Sequence, residues 1–235
     1  MAAKKKLVNE YYGKVPKELD KQFYSMELDE EQLYFANAIW NPDIDIIFCN
    51  AKAGTGKTTV ATGVANLLVQ YGLYDGIVYI ISPYGERKQG WLPGSITEKS
   101  SVYFEAFYQA LIECNVNPNT AINDESMVNQ KNGTGYITCI TDTYLRGTNL
   151  DNKVLILDEA QNCTVQQFKK ILTRVCLNTK VVCIGHDLQI DLDDTSTSGF
   201  VKYINHFKYM DRTAVCKLNI NHRGWISRHA DEFEE

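Results

Sequence analysis

The segment AKAGTGKTT, residues 51–59, constrains the fold more than any other part of the chain. It lies between a near-continuous apolar run, IDIIFC (44–49), and a stretch of helical period, TTVATGVANLLVQYG (58–72). An apolar run that ends in glycines reads as a parallel strand buried on both faces, and Gly72 stands where a helix C-cap is expected. The local expectation is strand, glycine turn, helix. Gly54 and Gly56 allow successive backbone N–H groups to converge on phosphate oxygens, and the following helix N-terminus adds its positive dipole end. Lys57 is then placed to reach the β- and γ-phosphates, and the Thr58 hydroxyl to ligate Mg²⁺. The expected ligand is a nucleoside triphosphate, ATP foremost, with Mg²⁺, held on Ala51, Lys52, Ala53, Gly54, Thr55, Gly56, Lys57, Thr58 and Thr59. Ala51 stands where this pattern normally has its first glycine, which costs some backbone freedom but no hydrogen-bond donor.

A second segment, VLILDEAQ (154–161), complements the first. An apolar strand ending in two carboxylates delivers them to the carboxyl edge of a sheet, where ligands bind in open α/β folds. Asp158 is expected to hold the metal through its water shell. Glu159 is expected to orient the water that attacks the γ-phosphate, or to take its proton. Without the phosphate loop upstream, an acidic helix start would explain the pair equally well.

The remaining chain continues the pattern. Apolar runs recur at 77–82, 136–140, 154–157, 181–185 and 214–218, with helical stretches such as FEAFYQALIEC, VQQFKKILTRVC and FVKYINHF between them. Asp29 and Thr164 precede two of the helical stretches as N-caps, Thr164 with Gln167 as a capping box. This alternation predicts an α/β fold, a three-layer sandwich with a mostly parallel central sheet. The expected organisation is an arm over 1–27, without clear period, and one domain over 28–235. Residues 115–135 are polar and read as an inserted segment. A net charge of -5 removes the global electrostatic argument for a nucleic-acid or membrane partner, leaving only local patches. Seven cysteines without a C-x-x-C pair read as reduced thiols, and no apolar run has the length of a membrane span, so the expected setting is the cytoplasm.

The ordered motifs AKAGTGKTT, GWLPGSITEK, YLRG, LDEAQN, LTR and GHDLQIDL resemble the PhoH family of phosphate-starvation-inducible P-loop ATPases, over roughly residues 30–230. That family is similar to the first, RecA-like motor domain of superfamily-one helicases. The resemblance implies ATP hydrolysis coupled to a conformational cycle on single-stranded RNA or DNA. It also implies a homo-oligomeric ring, such as a hexamer, in which a neighbour supplies the second wall of the nucleotide site. It assigns Gln161 and Gln189 to sensing the γ-phosphate and Arg223 to approaching it. Gln32 resembles a glutamine that reads adenine, although its spacing from Asp29 equally suits a capping pair. Arg146 and Arg174 stand at family motif positions, as trans-acting fingers, nucleic-acid contacts or structural ion pairs. Trp91 and Trp225 are expected to pack in the core. The chain departs from the family at His186, where an aspartate is usual, and at Ser82, where an arginine is usual. These departures and Ala51 keep open an alternative, a nucleotide-dependent binding module with little turnover. A P-loop phosphotransferase is disfavoured because residues 115–135 contain no arginine for a lid.

Overall fold

The computed structural model describes residues 14–82, 104–123, 135–141 and 150–231. Two short antiparallel strands, β1 (Gln22–Phe23) and β2 (Met26–Glu27), lead into helix α1 (Glu30–Trp40). The phosphate-loop strand β3 (Ile46–Ala51) passes through the glycine turn into α2 (Lys57–Gln70). Then follow β4 (Gly76–Ile81), α3 (Glu105–Glu113), the short α4 (Pro118–Ala121), β5 (Ile137–Thr141) and β6 (Lys153–Asp158). The described chain closes with α5 (Val165–Leu172), β7 (Lys180–Gly185), α6 (Phe200–Phe207), β8 (Thr213–Leu218) and α7 (Trp225–Asp231).

All six long strands pair in parallel, in the order β5-β4-β6-β7-β3-β8, so their carboxyl ends share one edge. Successive strand residues face opposite sides, and both sides here are apolar, which is why the runs lack alternation. On one face Ile47, Cys49, Tyr79 and Ile156 pack with Phe35, Ile39, Val64, Leu68 and Phe107 of α1, α2 and α3. On the other, Phe48, Ile80, Leu155 and Cys183 pack with Phe168, Ile171 and Phe200 of α5 and α6. Helices on both faces of a parallel sheet make the three-layer α/β architecture that the sequence predicts. Each such buried side chain contributes about 1.5–3 kcal/mol. Capping boxes at Asp29–Gln32 and Thr164–Gln167 start α1 and α5 where the sequence places them.

Three features differ from the sequence reading. Residues 22–27 form the β1–β2 pair, too short to show a strand period, and Phe23 is buried against Gly63 of α2. Helix α5 stops at Leu172 rather than running to 176, and the Lys169 carbonyl there accepts both the Thr173 N–H at 3.0 Å and its hydroxyl at 2.7 Å. Trp225 is 70% exposed on α7, its ring against His229 at 4.3 Å between centroids, because no further layer covers that helix among the described residues. Trp91, Arg146 and most of 115–135 lie outside the described residues.

One buried cation ties the amino edge of the sheet together. Lys180, the first residue of β7, donates to the carbonyls of Asn41 (2.7 Å) and Ile44 (2.6 Å), beyond the end of α1. The Asn41 carbonyl also accepts the Ile44 N–H at 3.3 Å, so Lys180 braces a turn that the backbone itself closes. Burial brings the Lys180 amine down to about 8 from its ordinary 10.5, with Asp45 opposing the shift. Between those values the unfolded chain holds the proton more tightly than the folded one, so this group adds stability as pH rises from about 8 to 10.5. Thermal denaturation of the parent chain and Lys180→Met is expected to show a melting-temperature difference that shifts in the parent's favour between pH 7.5 and 10. A difference that does not change with pH would contradict this.

Candidate phosphate-binding site

The loop leaves β3 at Ala51, which pairs with Leu218 of β8 and has no left-handed φ, so alanine is accommodated without strain. The Lys52 N–H donates to the Leu218 carbonyl at 3.0 Å, and the Lys52 carbonyl accepts from the Thr55 hydroxyl at 2.9 Å. Lys52 and Ala53 are half-buried, Thr55 fully buried. Gly54 and Gly56 adopt φ of 72° and 73°. A Cβ at Gly54 would stand 2.6 Å from Asn221 Oδ1, and one at Gly56 would stand 2.9 Å from Gln32 Nε2, so conformation and space both select glycine. Lys57 opens α2 directly behind Gly56. The Gln32 amide performs two tasks at once. Its Oε1 accepts the Asp29 N–H (3.1 Å) in the capping box, and its Nε2 donates to the Thr55 carbonyl (3.0 Å), fixing the loop to α1.

Strand β7 separates β3 from β6, yet the loop and the carboxylates meet at the common edge. Thr58 Oγ1 donates to Asp158 Oδ2 at 3.0 Å, and the Tyr79 hydroxyl donates to the same oxygen at 2.6 Å. Asp158 Oδ1 accepts the Glu159 N–H at 2.8 Å. Glu159 itself is held at φ 49°, a left-handed conformation that costs about 1–2 kcal/mol for a residue with a Cβ and turns the chain sharply after the strand. Gln161 Nε2 donates to Glu159 Oε2 (2.7 Å) and to the Gln189 carbonyl (3.0 Å), while its Oε1 accepts the His186 N–H (3.0 Å). Burial and the adjacent Asp158 carboxylate push the Glu159 carboxyl above its ordinary value, against the opposing pull of Lys57 and the Gln161 hydrogen bond. Gln189 takes part through its backbone, its side chain lying exposed. His186 is buried, with its Nδ1 unpaired among the described residues.

A third wall comes from the segment after β8, which two clasps hold against the start of α1. Asn219 donates its N–H and side-chain amide to Glu31 at 2.6 and 3.0 Å, and His222 Nε2 lies 2.7 Å from Asp29 Oδ2. The His222 N–H donates to the Gly54 carbonyl at 2.9 Å. This lays the Arg223 side chain along Gly54, where a Cβ would meet Arg223 Cγ at 2.9 Å. Gln32, residues 54–59, His222 and Arg223 line a cleft of about 600 Å³. Arg174 is exposed after α5 and does not line it. The cleft thus gathers a glycine turn, a helix N-terminus and two cationic residues, Lys57 and Arg223, which suits a polyanion.

The donor set also fits Mg²⁺. Among the described residues no trio of His, Cys, Asp or Glu makes a protein-only metal cage. Thr58 and Asp158 offer one hydroxyl and one carboxylate, and Mg²⁺ commonly combines such a pair with waters and substrate phosphate oxygens.

Sequence reasoning missed Tyr79. Its ring is fully buried in β4, stacked on Phe107 at 4.0 Å, and burial together with Asp158 pushes its hydroxyl well above the ordinary tyrosine range. The available signal was a lone phenol within the aliphatic run IVYIIS, because a buried hydroxyl requires a partner.

A profile described as PhoH-like protein matches residues 26–229. The PhoH-like protein of Mycobacterium leprae is 31% identical over 196 residues, covering 81% of this chain and 53% of that protein. Protein PhoH of Escherichia coli K12 is 30% identical over 192 residues, covering 81% and 52% respectively. The chain therefore spans about half the length of these curated relatives. In fold it is similar to the UvsW helicase of bacteriophage T4, with TM-score 0.52 and 11% identity over 85% of this chain and 64% of that one. It is also similar to the large terminase of a thermophilic bacteriophage, with TM-score 0.51 and 13% identity over 82% of this chain and 46% of that one.

Tyr79→Phe preserves the stack on Phe107 and removes only the hydroxyl that fixes Asp158. The Mg²⁺ concentration that half-saturates its effect on triphosphate binding is expected to rise about 10-fold, with metal-free binding unchanged. Calorimetric titration at graded Mg²⁺ measures this, and an unaltered requirement would mean that Thr58 and the Glu159 N–H suffice to orient the carboxylate.

Proposed function

Because the chain belongs to the PhoH-like family, we propose that it binds ATP with Mg²⁺ on the Gly54–Thr58 loop and hydrolyses the β–γ phosphoanhydride. The observation that carries this reading is the 3.0 Å hydrogen bond between Thr58 and Asp158, which unites the loop and the strand-terminal carboxylates across 100 residues of sequence. In this reading Lys57 and Arg223 offset the phosphate charge as the terminal phosphoryl group departs. Glu159, oriented by Gln161 at 2.7 Å, accepts a proton from the attacking water, and its raised basicity suits that task. Thr58 and Asp158 would hold Mg²⁺, which would supply positive charge to the phosphates. Gln32 lines the cleft and holds the loop, and in this reading it would also meet the base.

Hydrolysis would drive a conformational cycle on single-stranded RNA or DNA, a reading supported by the likeness in fold to a phage helicase and to a terminase whose structure was solved with ADP. A second copy of the chain would close the open side of the site in a ring, and the exposed Leu188, Trp225 and Ile226 near Gln189 and Arg223 favour such a neighbour. The seven cysteines form no disulfide, in keeping with the cytoplasm, and no helix among the described residues is long and apolar enough to cross a membrane. Turnover is favoured over a purely binding role. Ala51 carries no strain, and His186 engages Gln161 through its backbone N–H, which does not depend on the side chain at that position.

Glu159→Gln is expected to retain ATP binding and lose phosphate release by about 100-fold or more. Steady-state phosphate assays measure this, and unchanged release would remove Glu159 from the chemistry. The same assay with single-stranded RNA or DNA is expected to show stimulation that declines as salt rises; the absence of stimulation at every salt concentration would remove the nucleic-acid partner.

A further inference from the structure

The cleft does not stop at the phosphate loop. Beyond Thr59 it continues between Met26 and Leu28 on one side and Ala110 and Glu113 of α3 on the other. A triphosphate seated with its reacting end toward Asp158 and Glu159 has its α-phosphate toward Thr58 and Thr59, so the sugar leaves through this extension. Met26, half-buried there over the buried Leu28, offers apolar surface suited to a base. Glu113 does not fit that pattern. Thr59 Oγ1 donates to Glu113 Oε2 at 2.7 Å, which holds a carboxylate on the wall of a cleft built for a polyanion. Such a charge repels phosphate and weakens binding, unless the ligand brings hydrogen-bond donors to it. The Thr59 bond occupies one lone pair and leaves the other acceptor positions of the carboxylate open.

Resting on the nucleotide reading above, we propose that Glu113 accepts a hydrogen bond from a ribose hydroxyl and makes the site selective for ribonucleotides over deoxyribonucleotides. The Thr59 contact fixes the carboxylate one residue beyond the metal-binding threonine, so sugar recognition and phosphate recognition are built on the same turn of α2. A hydrogen bond to a charged acceptor in a partly exposed cleft discriminates by about 10-fold.

The test compares Mg²⁺-dependent affinities of the parent chain, Glu113→Ala and Glu113→Gln for four ligands: ATP, 2′-deoxy-ATP, 3′-deoxy-ATP and inorganic tripolyphosphate. The parent is expected to bind ATP about 10-fold more tightly than at least one of the deoxy analogues. Glu113→Ala is expected to abolish that preference without weakening tripolyphosphate, and Glu113→Gln, a neutral acceptor, to keep part of it. Equal affinity of the parent for ATP and both analogues would overturn the proposal. So would a Glu113→Ala variant that weakens all four ligands alike, since Glu113 would then act only by supporting Thr59. If the parent binds none of the four, the phosphate-loop reading itself falls and this proposal with it; binding of tripolyphosphate without sugar preference overturns the proposal alone.

Discussion

The contact between Thr58 and Asp158 organises the rest of the molecule, because it joins two strand ends that are not neighbours. Strand β7 lies between β3 and β6, so the loop must arch across it to reach the carboxylate. That is possible only if all three strands run in parallel and end at one edge, and the sheet meets this requirement. The apolar faces, the capping boxes and the buried Lys180 serve the same end, keeping the six strands in register so that their carboxyl ends are level. A hydrogen bond to a carboxylate contributes only about 1.5–3 kcal/mol. Its importance lies in position rather than strength, since it places a hydroxyl and a carboxylate where one metal ion can use both.

The site stores strain and charge that the surrounding structure offsets. Glu159 is turned into the left-handed region directly after a strand, and its carboxyl is destabilised by burial and by Asp158. Gln161 opposes both effects by bonding Glu159, the Gln189 carbonyl and the His186 N–H with one amide. Tyr79 plays the corresponding part for Asp158, and its own ring is immobilised by Phe107. Helix α3 thereby meets the site at both ends, through Phe107 beneath the Tyr79 ring that holds Asp158 and through Glu113 at Thr59. The segment after β8 meets it from the opposite side, clasped to α1 by the Asp29–His222 and Glu31–Asn219 pairs.

What the sequence made legible was local. The glycine loop, the six aliphatic runs and the two capping boxes each depend on residues a few positions apart, and each was found where it was expected. Residues that act across the fold were not legible. Tyr79 and Glu113 reach the site only because β4 pairs with β6 and α3 lies along α2, neither of which spacing reveals. Ala51 read as a departure, although its strand pairing with Leu218 makes glycine unnecessary there. Gln32 read as either a cap or a ligand contact, whereas the two ends of its amide face in different directions and serve α1 and the loop together. Trp225 read as core because tryptophan usually is, yet its helix lies where no described element covers it.

As proposed, loop and carboxylate form one metal-dependent nucleotide site. It is tested most directly by calorimetric titration of ATP into the parent chain and into Asp158→Asn, each with and without Mg²⁺. Mg²⁺ is expected to tighten binding to the parent by about 10-fold or more and to have little effect on Asp158→Asn, whose metal-free binding persists on the loop. An identical response to Mg²⁺ in the two proteins, or no binding to the parent under either condition, would contradict it.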